Sequence, residues 1–509
     1  MSEFVRIELV PLGASFEVER GAPLQDCLFA HGVEFPCGGR GRCRGCRVRV
    51  VEGSLPVSAE EARLLAPAEI ERGWRLACRH RAEGPLKLEI AQWEAAVLAD
   101  STPFEFTPGE GLGIAIDLGT TTLVAQLLDL RTAAVLGVEA ALNPQAAHGS
   151  DVMSRVSYAA LKRGQKKLEE LIRRKLGAMV AKLLDASGAD PSALRDVAIV
   201  GNSVMHHLFS GIDVEPLSRF PFESPRPGLA EFSARELGWD AAGDARVRFL
   251  PCIASFVGSD ILAGILATRI HESPDLAILV DLGTNGEIVV GNREGLLASS
   301  TAAGPAFEGA RISMGMRAAT GAIARVEVAP EGLRCHVLGG GEPRGICGSG
   351  LVDAVAAGLE TGAIGPDGRI AGGAGFWELC PPVGLNQADV REVQLAKGAI
   401  AAGIRILLRR RGASSQEVKV LYLAGAFGNY VSRRSARRIG LLEFPGEKIR
   451  PSGNTALLGA KIALFDRRAT EGGFAGVLSK IRHIGLSSDP LFEETYVEHM
   501  RFPEKWGQS

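Results

Sequence analysis

The chain has 509 residues, too many for one ordinary hydrophobic core, and its 46% hydrophobic content with 63 glycines is typical of a turn-rich α/β protein of two or three domains. The formal net charge of -2 excludes a general attraction to nucleic acid or to anionic membranes. Residues 1–30 hold no basic segment followed by an apolar run, and no stretch of about eighteen consecutive apolar residues occurs, so we expect neither an export signal nor a membrane span. We therefore expect a cytoplasmic protein, and its nine cysteines, an odd number, argue against a disulfide framework.

Residues 1–92 have the pattern of a small domain of strands and helices. Alternating apolar residues predict a β-hairpin, and these residues are Val5, Ile7, Leu9, Phe16 and Val18. A helix, a loop, a strand, a short helix with a capping box at Ser58 and Glu61, and a last strand over 86–90 are predicted to follow. This order is the layout of a β-grasp ferredoxin, an α+β domain.

Four cysteines of this domain have the spacing C-x5-C-x2-C-x31-C, and they are Cys37, Cys43, Cys46 and Cys78. Three thiols in one glycine- and arginine-rich loop need a ligand to fix the loop, and a 2Fe-2S cluster takes four thiolates. A four-cysteine zinc site is the alternative, although zinc sites favour two short C-x2-C pairs and this segment has one. The arginines of the loop fit either a solvated rim or a docking surface for an acidic partner.

Residues 93–110 show little periodicity and predict a linker, after which the character of the chain changes. The motif Asp-Leu-Gly-Thr occurs twice, at Asp117 and at Asp281, each time between two predicted strands. The glycine lets backbone N–H groups approach phosphate oxygens, hydroxyls and amides add donors, and the aspartate can hold a hydrated Mg²⁺ between phosphates. The predicted phosphate contacts are Gly119, Thr120, Thr121 and Thr122 in the first turn and Gly283, Thr284, Asn285 and Gly286 in the second.

Near the end of the chain, the segment VLYLAGAFGNYV is a predicted strand that runs into glycines. It predicts a floor for adenine and ribose at Gly425, Ala426, Phe427 and Gly428. Two phosphate turns followed by such a strand resemble the ASKHA superfamily of actin, sugar kinases and heat-shock chaperones, whose two RNase H-like halves close on ATP. We predict an ASKHA ATPase domain over 111–509, with its second half starting near residue 275; a generic α/β unit that uses the motif only for turns is the alternative.

Several polar residues between and after the turns are ambiguous. Asn202 either caps a helix or positions a water or phosphate. His206 and His207 point to different faces of that helix, which favours core or surface histidines over a metal site. Asp260, near a helix start, is an acidic N-cap by default and a catalytic or Mg²⁺-linked carboxylate by analogy, and Glu287 is a further candidate for a catalytic role.

A ferredoxin in front of an ASKHA ATPase resembles one family, the reductive activators of corrinoid proteins. The resemblance spans nearly the whole chain and rests on the cysteine loop and on GIAIDLGTTT, NPQAAHGSDVMSR, VGNSVMHHL, LVDLGTNGE, AGPAFEG, ICGSGLVD and LAGAFGNY. It implies an ATP-hydrolysing iron–sulfur reductase that passes one electron to inactive Co(II) of a corrinoid protein in a methyltransferase system and regenerates Co(I). It also implies an upstream low-potential electron donor, and a homodimer is a further expectation.

On this resemblance the four cysteines hold the 2Fe-2S cluster, and Asp117 and Asp281 position Mg²⁺ and water at ATP. A plant-type cluster has a potential of about -400 mV, and the family's cobalt couple is lower. Each ~59 mV of uphill one-electron transfer costs a factor of ten. The resemblance therefore implies that ATP must favour a partner state in which cobalt is easier to reduce.

Three other functions stay open on the sequence. An activator of another low-potential acceptor, such as a 2-hydroxyacyl-CoA dehydratase, would place cluster cysteines inside the ATPase, where this chain has no close pair in sequence. A nucleotide-sensing redox binding module would bind ATP with negligible turnover. A sugar kinase would need a substrate-directed carboxylate and would leave the cysteine loop without a purpose.

Overall fold

The computed structural model describes most of the chain, namely residues 4–10, 14–29, 46–65, 67–90, 102–120, 122–149, 151–161, 164–220, 222–283, 285–309, 311–316, 318, 321–338, 340–373, 375–428, 430–466 and 474–504. These residues form one five-stranded sheet, two six-stranded sheets and two small sheets. Within these ranges no helix has the length and apolar character needed to cross a membrane.

The first sheet has five strands in the order β2-β1-β5-β3-β4. Its elements are β1 Phe4–Val10, β2 Ala14–Glu19, α1 Leu24–Phe29, β3 Arg47–Glu52, α2 Ala59–Leu64, α3 Pro67–Glu71, β4 Trp74–Leu76 and β5 Leu86–Ile90. β1 and β2 pair antiparallel, which confirms the predicted hairpin, and β5 lies parallel to β1 at the centre of the sheet. The capping box of Ser58 and Glu61 is also present. This arrangement confirms the β-grasp prediction.

The second sheet has six strands in the order β10-β11-β9-β6-β7-β8. Its elements are β6 Leu112–Leu118, β7 Thr122–Asp129, β8 Val135–Leu142, α4 Val152–Ala159, α5 Gly164–Ser187, β9 Leu194–Gly201, α6 Ser203–Ser210, β10 Ala230–Ser233, β11 Arg246–Phe249 and α7 Ser259–Thr268. The central strand β6 is buried along nearly its whole length. Its nearly continuous apolar sequence follows from burial on both faces of the sheet.

The third sheet has six strands in the order β21-β20-β12-β13-β14-β22, and two small sheets, β16-β15-β17 and β18-β19, accompany it. The strands are β12 Ala277–Leu282, β13 Gly286–Asn292, β14 Gly295–Thr301, β15 Ala322–Ala329, β16 Gly332–Val337, β17 Gly345–Ile346, β18 Phe376–Cys380, β19 Val383–Asn386, β20 Val420–Ala424, β21 Ile449–Gly453 and β22 Ile481–His483. The helices are α8 Gly348–Thr361, α9 Gln387–Arg411, α10 Gly425–Gly428, α11 Arg433–Arg438, α12 Thr455–Phe465, α13 Ala475–Leu478 and α14 Phe492–Met500.

The two six-stranded sheets share one plan. In each sheet, three strands that follow one another in sequence pair antiparallel. Two later strands then extend the sheet on the free side of the first strand and run parallel to it. The shared part is β8-β7-β6-β9-β11 in one sheet and β14-β13-β12-β20-β21 in the other. This repeat confirms the predicted RNase H-like duplication, and it places Asp117 and Asp281 at the same position of equivalent strands.

Helices α7 and α12 pack against each other where the two halves meet. α12 contacts β6 and β9, and α7 contacts both β9 and β12. The helices approach so closely that a Cβ atom at Gly459 would lie 2.1 Å from the carbonyl oxygen of Ala263. The small residues of the sequence SGNTALLGAKIAL are therefore explained by the close approach of a second helix.

We expect Gly459→Ala to lower the free energy of unfolding by about 2 kcal/mol or more, because the added methyl group overlaps backbone atoms that cannot rotate away. Urea unfolding followed by circular dichroism measures the change. Gly476→Ala is the matched control, since Gly476 also lies in a helix but has nothing within 4 Å of an added Cβ. Equal stability of Gly459→Ala and the native chain would contradict the close packing.

Candidate functional site

The first predicted phosphate turn follows β6. The Gly119 N–H donates to the carbonyl of Thr122 at 3.1 Å and closes the turn. Asn202, the N-cap of α6, donates from Nδ2 to Thr120 Oγ1 at 2.9 Å while its Oδ1 accepts from Met205 N at 3.0 Å. Asn202 is thus a helix cap and also contacts the turn, and the Thr120 hydroxyl keeps its own proton for a ligand. Thr121 lies outside the described residues.

The second turn follows β12 and is shorter. The Gly283 N–H donates to the carbonyl of Asn285 at 3.1 Å, two residues on rather than three. Gly286 faces the core, because Thr301 Oγ1 donates to its carbonyl at 3.1 Å and a Cβ would lie 2.9 Å from Ile400 Cγ1. The glycine at 286 is therefore required by packing, and its contact with phosphate stays a prediction. Thr284 lies outside the described residues.

Four carboxyl groups from both halves influence one another at the ends of these strands. Burial raises the pKa of Asp117 to about 6, against a hydrogen bond from Asn454 that lowers it. Burial and the charge of Asp117 raise the pKa of Asp281 to about 7. Burial, followed by the charges of Asp281 and Asp117, raises the pKa of Asp260 to about 7. Burial together with Asp260 and Asp281 raises the pKa of Glu287 well above its ordinary value.

The structure corrects one prediction about Asp260. The N-cap of α7 is Gly258, and Asp260 is the second residue of the helix. Its Oδ1 accepts from the N–H of Ile261 at 2.9 Å. Because the adjoining Gly258 backbone lies against Gly201, with a hypothetical Cβ only 2.4 Å from the Gly201 carbonyl oxygen, the start of α7 is held beside the end of β9. Asp260 therefore faces the same site as the two turn aspartates.

These carboxyl groups fit a bound Mg²⁺ with a nucleotide. No lysine or arginine among the described residues forms an ion pair with any of the four, so their mutual repulsion lacks a protein counter-charge. No group of three or more potential ligands in the described ranges is close enough to hold a metal ion by itself. Mg²⁺ is commonly held by one or two carboxylates with phosphate oxygens and water, which is what this arrangement can supply.

We expect Mg-ATP binding to weaken at least tenfold between pH 8 and pH 6. The carboxyls with pKa values raised to about 7 take up protons over this range, and a divalent cation must displace those protons. Isothermal titration in two buffers of different ionisation enthalpy will measure both the affinity and the proton release. Asp281→Asn should show a shallower pH dependence, and an affinity that is constant over this range would contradict the assignment.

The predicted adenosine segment forms α10 at the end of β20. Gly425 has a φ of +84°, and a Cβ there would lie 2.6 Å from Asp281 Oδ1, so only glycine lets this backbone lie against the carboxylate. The ring of Phe427 stacks on Phe307 with centroids 5.1 Å apart. Gly428 is buried, and the side chain of Ala426 lies outside the described residues. The contact of these residues with adenosine stays a prediction.

One residue of the site has a partner that the sequence does not reveal. Asn454 caps α12, and its Oδ1 accepts from Leu457 N. Its Nδ2 also donates to Asp117 Oδ2 at 2.8 Å, across 337 residues of sequence. The only local signal is an asparagine at a helix start, which ordinarily indicates a cap alone.

In the first domain, two of the four predicted cluster cysteines are described. The Sγ atoms of Cys46 and Cys78 lie 3.3 Å apart, Cys46 is buried, and neither is in a disulfide. The separation exceeds a disulfide bond of about 2.05 Å, so the two sulfur atoms lie close together without being bonded. Cys37 and Cys43 lie outside the described residues. The pair fits a cluster whose other ligands come from the loop.

Three family models match the chain in succession. Residues 7–83 match the "2Fe-2S iron-sulfur cluster binding domain", residues 112–273 the "RACo middle region", and residues 275–508 the "C-terminal domain of RACo the ASKHA domain". The protein named "Corrinoid activation enzyme RamQ", from Eubacterium limosum, is 33% identical over 419 residues, which cover 77% of this chain and 70% of that protein. The chain belongs to the family of reductive activators of corrinoid proteins.

Two further comparisons agree with membership of this family. A Methanosarcina barkeri protein named "Co(II) methylated amine-specific corrinoid protein reductase" is 28% identical over 421 residues, with 76% of each chain covered. The solved structure of a "Reductive activator for corrinoid,iron-sulfur protein" is 27% identical, covers 98% of both chains and superposes with a TM-score of 0.67. The family explains why a ferredoxin unit precedes an ASKHA unit in a single chain.

Proposed function

We propose that this protein reductively activates a corrinoid protein in a step that depends on Mg-ATP. One electron leaves the reduced protein and converts inactive Co(II) to Co(I), with no proton transferred, while ATP and water give ADP and phosphate. One observation carries the proposal: two adjacent thiols, Cys46 and Cys78, share a chain with two predicted phosphate turns whose aspartates lie close enough to act on one another's charge. The printed names of the relatives, a corrinoid activation enzyme and a Co(II) corrinoid protein reductase, support it.

The cysteines set the redox part of the proposal. A 2Fe-2S cluster held by Cys37, Cys43, Cys46 and Cys78 would supply the electron. Cys46 immediately precedes β3 and Cys78 lies just after β4, and β3 and β4 are paired strands. The sheet therefore holds two ligands in place independently of the loop that carries the other two.

The carboxyl groups set the nucleotide part. Without a cation, Asp117 and Asp281 from opposite halves repel each other. Mg-ATP bound between them would replace this repulsion with attraction and stabilise a closed arrangement of the halves. ATP can drive uphill electron transfer only if that closed state binds the partner differently from the open one. We propose that Asp117 and Asp281 position Mg²⁺ and the attacking water, and that Asp260 and Glu287 support them.

Anaerobic visible spectroscopy tests the proposal. A Co(II) corrinoid protein from the same organism is mixed with this protein and a low-potential reductant, with and without Mg-ATP. The expected result is a Co(I) band that needs Mg-ATP and is absent with Cys43→Ala. No Co(I) with several candidate corrinoid proteins, despite an intact 2Fe-2S spectrum, would overturn the proposal and favour another ATP-gated acceptor.

A further inference from the structure

The segment NPQAAHGSDVMSR follows β8 and ends within the first turn of α4. Three of its polar residues form a buried network behind the first phosphate turn. Its members Asn143, Gln145 and Arg155 are each at most 1% exposed. Gln145 N donates to Asn143 Oδ1 at 3.0 Å, and Gln145 Nε2 donates to the carbonyl of Leu168 in α5 at 3.0 Å. The amide groups of Asn143 and Gln145 are thereby held in one orientation.

Arg155 is a buried cation held in place by hydrogen bonds. Its guanidinium donates to the Thr120 carbonyl at 2.6 Å, the Gly149 carbonyl at 2.9 Å, Gln145 Oε1 at 3.3 Å and Met205 Sδ at 3.5 Å. No carboxylate of the described residues forms an ion pair with it, although Asp151 is near enough for its charge to act on the guanidinium. Burying a cation without a paired anion is costly, so the hydrogen bonds that Arg155 donates must offset this cost.

The network contacts two carbonyls of the turn backbone, those of Gly119 and Thr120. Asn143 Nδ2 donates to the Gly119 carbonyl at 2.9 Å, and Arg155 donates to the next carbonyl, that of Thr120. In a planar trans peptide the C=O and N–H bonds point in opposite directions. Holding the Gly119 carbonyl toward the network therefore turns the Thr120 N–H away from the network.

We propose that Arg155, together with Asn143, is a positioning residue that holds the first phosphate turn in its nucleotide-binding conformation. Charge-assisted donation to the Thr120 carbonyl also polarises the turn, which makes its N–H groups better donors to phosphate. The ligand class is a nucleoside di- or triphosphate with Mg²⁺, so the inference rests on the nucleotide site of the proposed function. Arg155 acts through the turn and does not touch the ligand.

The matched control is Arg438, another buried arginine. It also donates to two backbone carbonyls, those of Leu359 and Pro503, both at 2.9 Å, but these lie in α8 and in the C-terminal segment. Lysine keeps the positive charge at either position but lacks the planar guanidinium group, which donates to several acceptors at once. Both substitutions remove the same kind of bond, and only one of them should affect the nucleotide.

Isothermal titration of Mg-ATP into the full-length protein tests the proposal at a temperature well below unfolding. We expect Arg155→Lys to weaken Mg-ATP binding by about tenfold or more and to raise the KM for ATP, whereas Arg438→Lys should stay within about twofold of the native affinity while losing thermal stability. If Arg155→Lys does not fold, Asn143→Ala, which removes the bonds of Asn143 to the Gly119 carbonyl, to Gln145 N and to Met205 Sδ, should weaken binding by several-fold.

Two results would overturn the inference, and they are distinguishable. If the native protein binds Mg-ATP and Arg155→Lys binds it equally well, the positioning role alone is refuted. Where Arg155→Lys does not fold, native affinity of Asn143→Ala has the same meaning. Loss of affinity in Arg438→Lys equal to that in Arg155→Lys would also refute it, since general destabilisation would then explain both. Failure of the native protein to bind Mg-ATP would remove the proposed nucleotide site itself.

Discussion

Replacing Cys46 or Cys78 with serine will abolish the visible absorbance of the 2Fe-2S cluster and lower the rate of Co(I) formation at least a hundredfold. A 2Fe-2S cluster needs four protein ligands, and the sulfur atoms of these two thiols already lie 3.3 Å apart at the ends of the paired strands β3 and β4. Iron and sulfide analysis, with anaerobic spectroscopy of the reduced and oxidised protein, measures the loss. ATP binding should be unchanged, because the nucleotide residues belong to the other sheets.

Cys27→Ser is the matched control for this experiment. Cys27 lies in the same domain, in α1, and its Sγ donates to the Pro23 carbonyl at 3.2 Å, a bond that serine can keep. The variant should retain its cluster and its activity. A chain that binds one zinc and no iron, and that loses the zinc when Cys46 is replaced, would instead support the four-cysteine zinc site.

Replacing Asp281 with asparagine should have opposite effects on activity and on stability. We expect ATP hydrolysis to fall by roughly two to three orders of magnitude, since a charged group that holds the cation and water is lost. Burial and Asp117 raise the pKa of Asp281 to about 7, so its ionised form destabilises the nucleotide-free protein at higher pH. Removing the charge should therefore stabilise that protein by roughly 2 kcal/mol at pH 8.

The sign of this stability change follows from the direction of the shift. A carboxyl whose pKa is raised in the folded state stabilises folding below its ordinary pKa and loses that contribution as pH rises through about 7. The gain of Asp281→Asn should thus be present at pH 8 and absent near pH 4. Thermal unfolding at both pH values, without nucleotide, measures it, and an equal gain at both would contradict the electrostatic explanation.

Asp353→Asn is the control for the loss of hydrolysis. Burial also raises the pKa of Asp353 to about 6. Asp353 lies in α8, away from the phosphate turns, and its Oδ2 accepts from Val326 N in β15. ATP hydrolysis by this variant should stay within about twofold of native. If Asp281→Asn lost hydrolysis and still formed Co(I) with ATP, nucleotide binding alone would drive the reduction, as in the binding-module alternative.

The sequence alone determined the features that depend on local pattern. Alternating apolar residues specified β1 and β2, Ser58 and Glu61 specified a capping box, and the repeated Asp-Leu-Gly-Thr motif specified two equivalent strand ends. Each of these signals lies within about ten residues, where side-chain periodicity and turn chemistry directly restrict the backbone. The family and the duplicated fold were predictable for the same reason, since both follow from the order of such local elements.

Only the tertiary structure decided which polar groups meet. Asp117 and Asn454 are 337 residues apart in sequence and 2.8 Å apart in space, and Arg155 reaches Thr120 across 35 residues. Neither pairing can be predicted from the neighbouring sequence. An asparagine at a helix start ordinarily indicates a cap, and an arginine within a helix ordinarily indicates a surface residue. The packing of α12 against β6 brings Asn454 to Asp117, and the position of α4 beside the first turn brings Arg155 to Thr120. Burial then changes the pKa of Asp260 from that of an ordinary helix-start carboxylate to about 7.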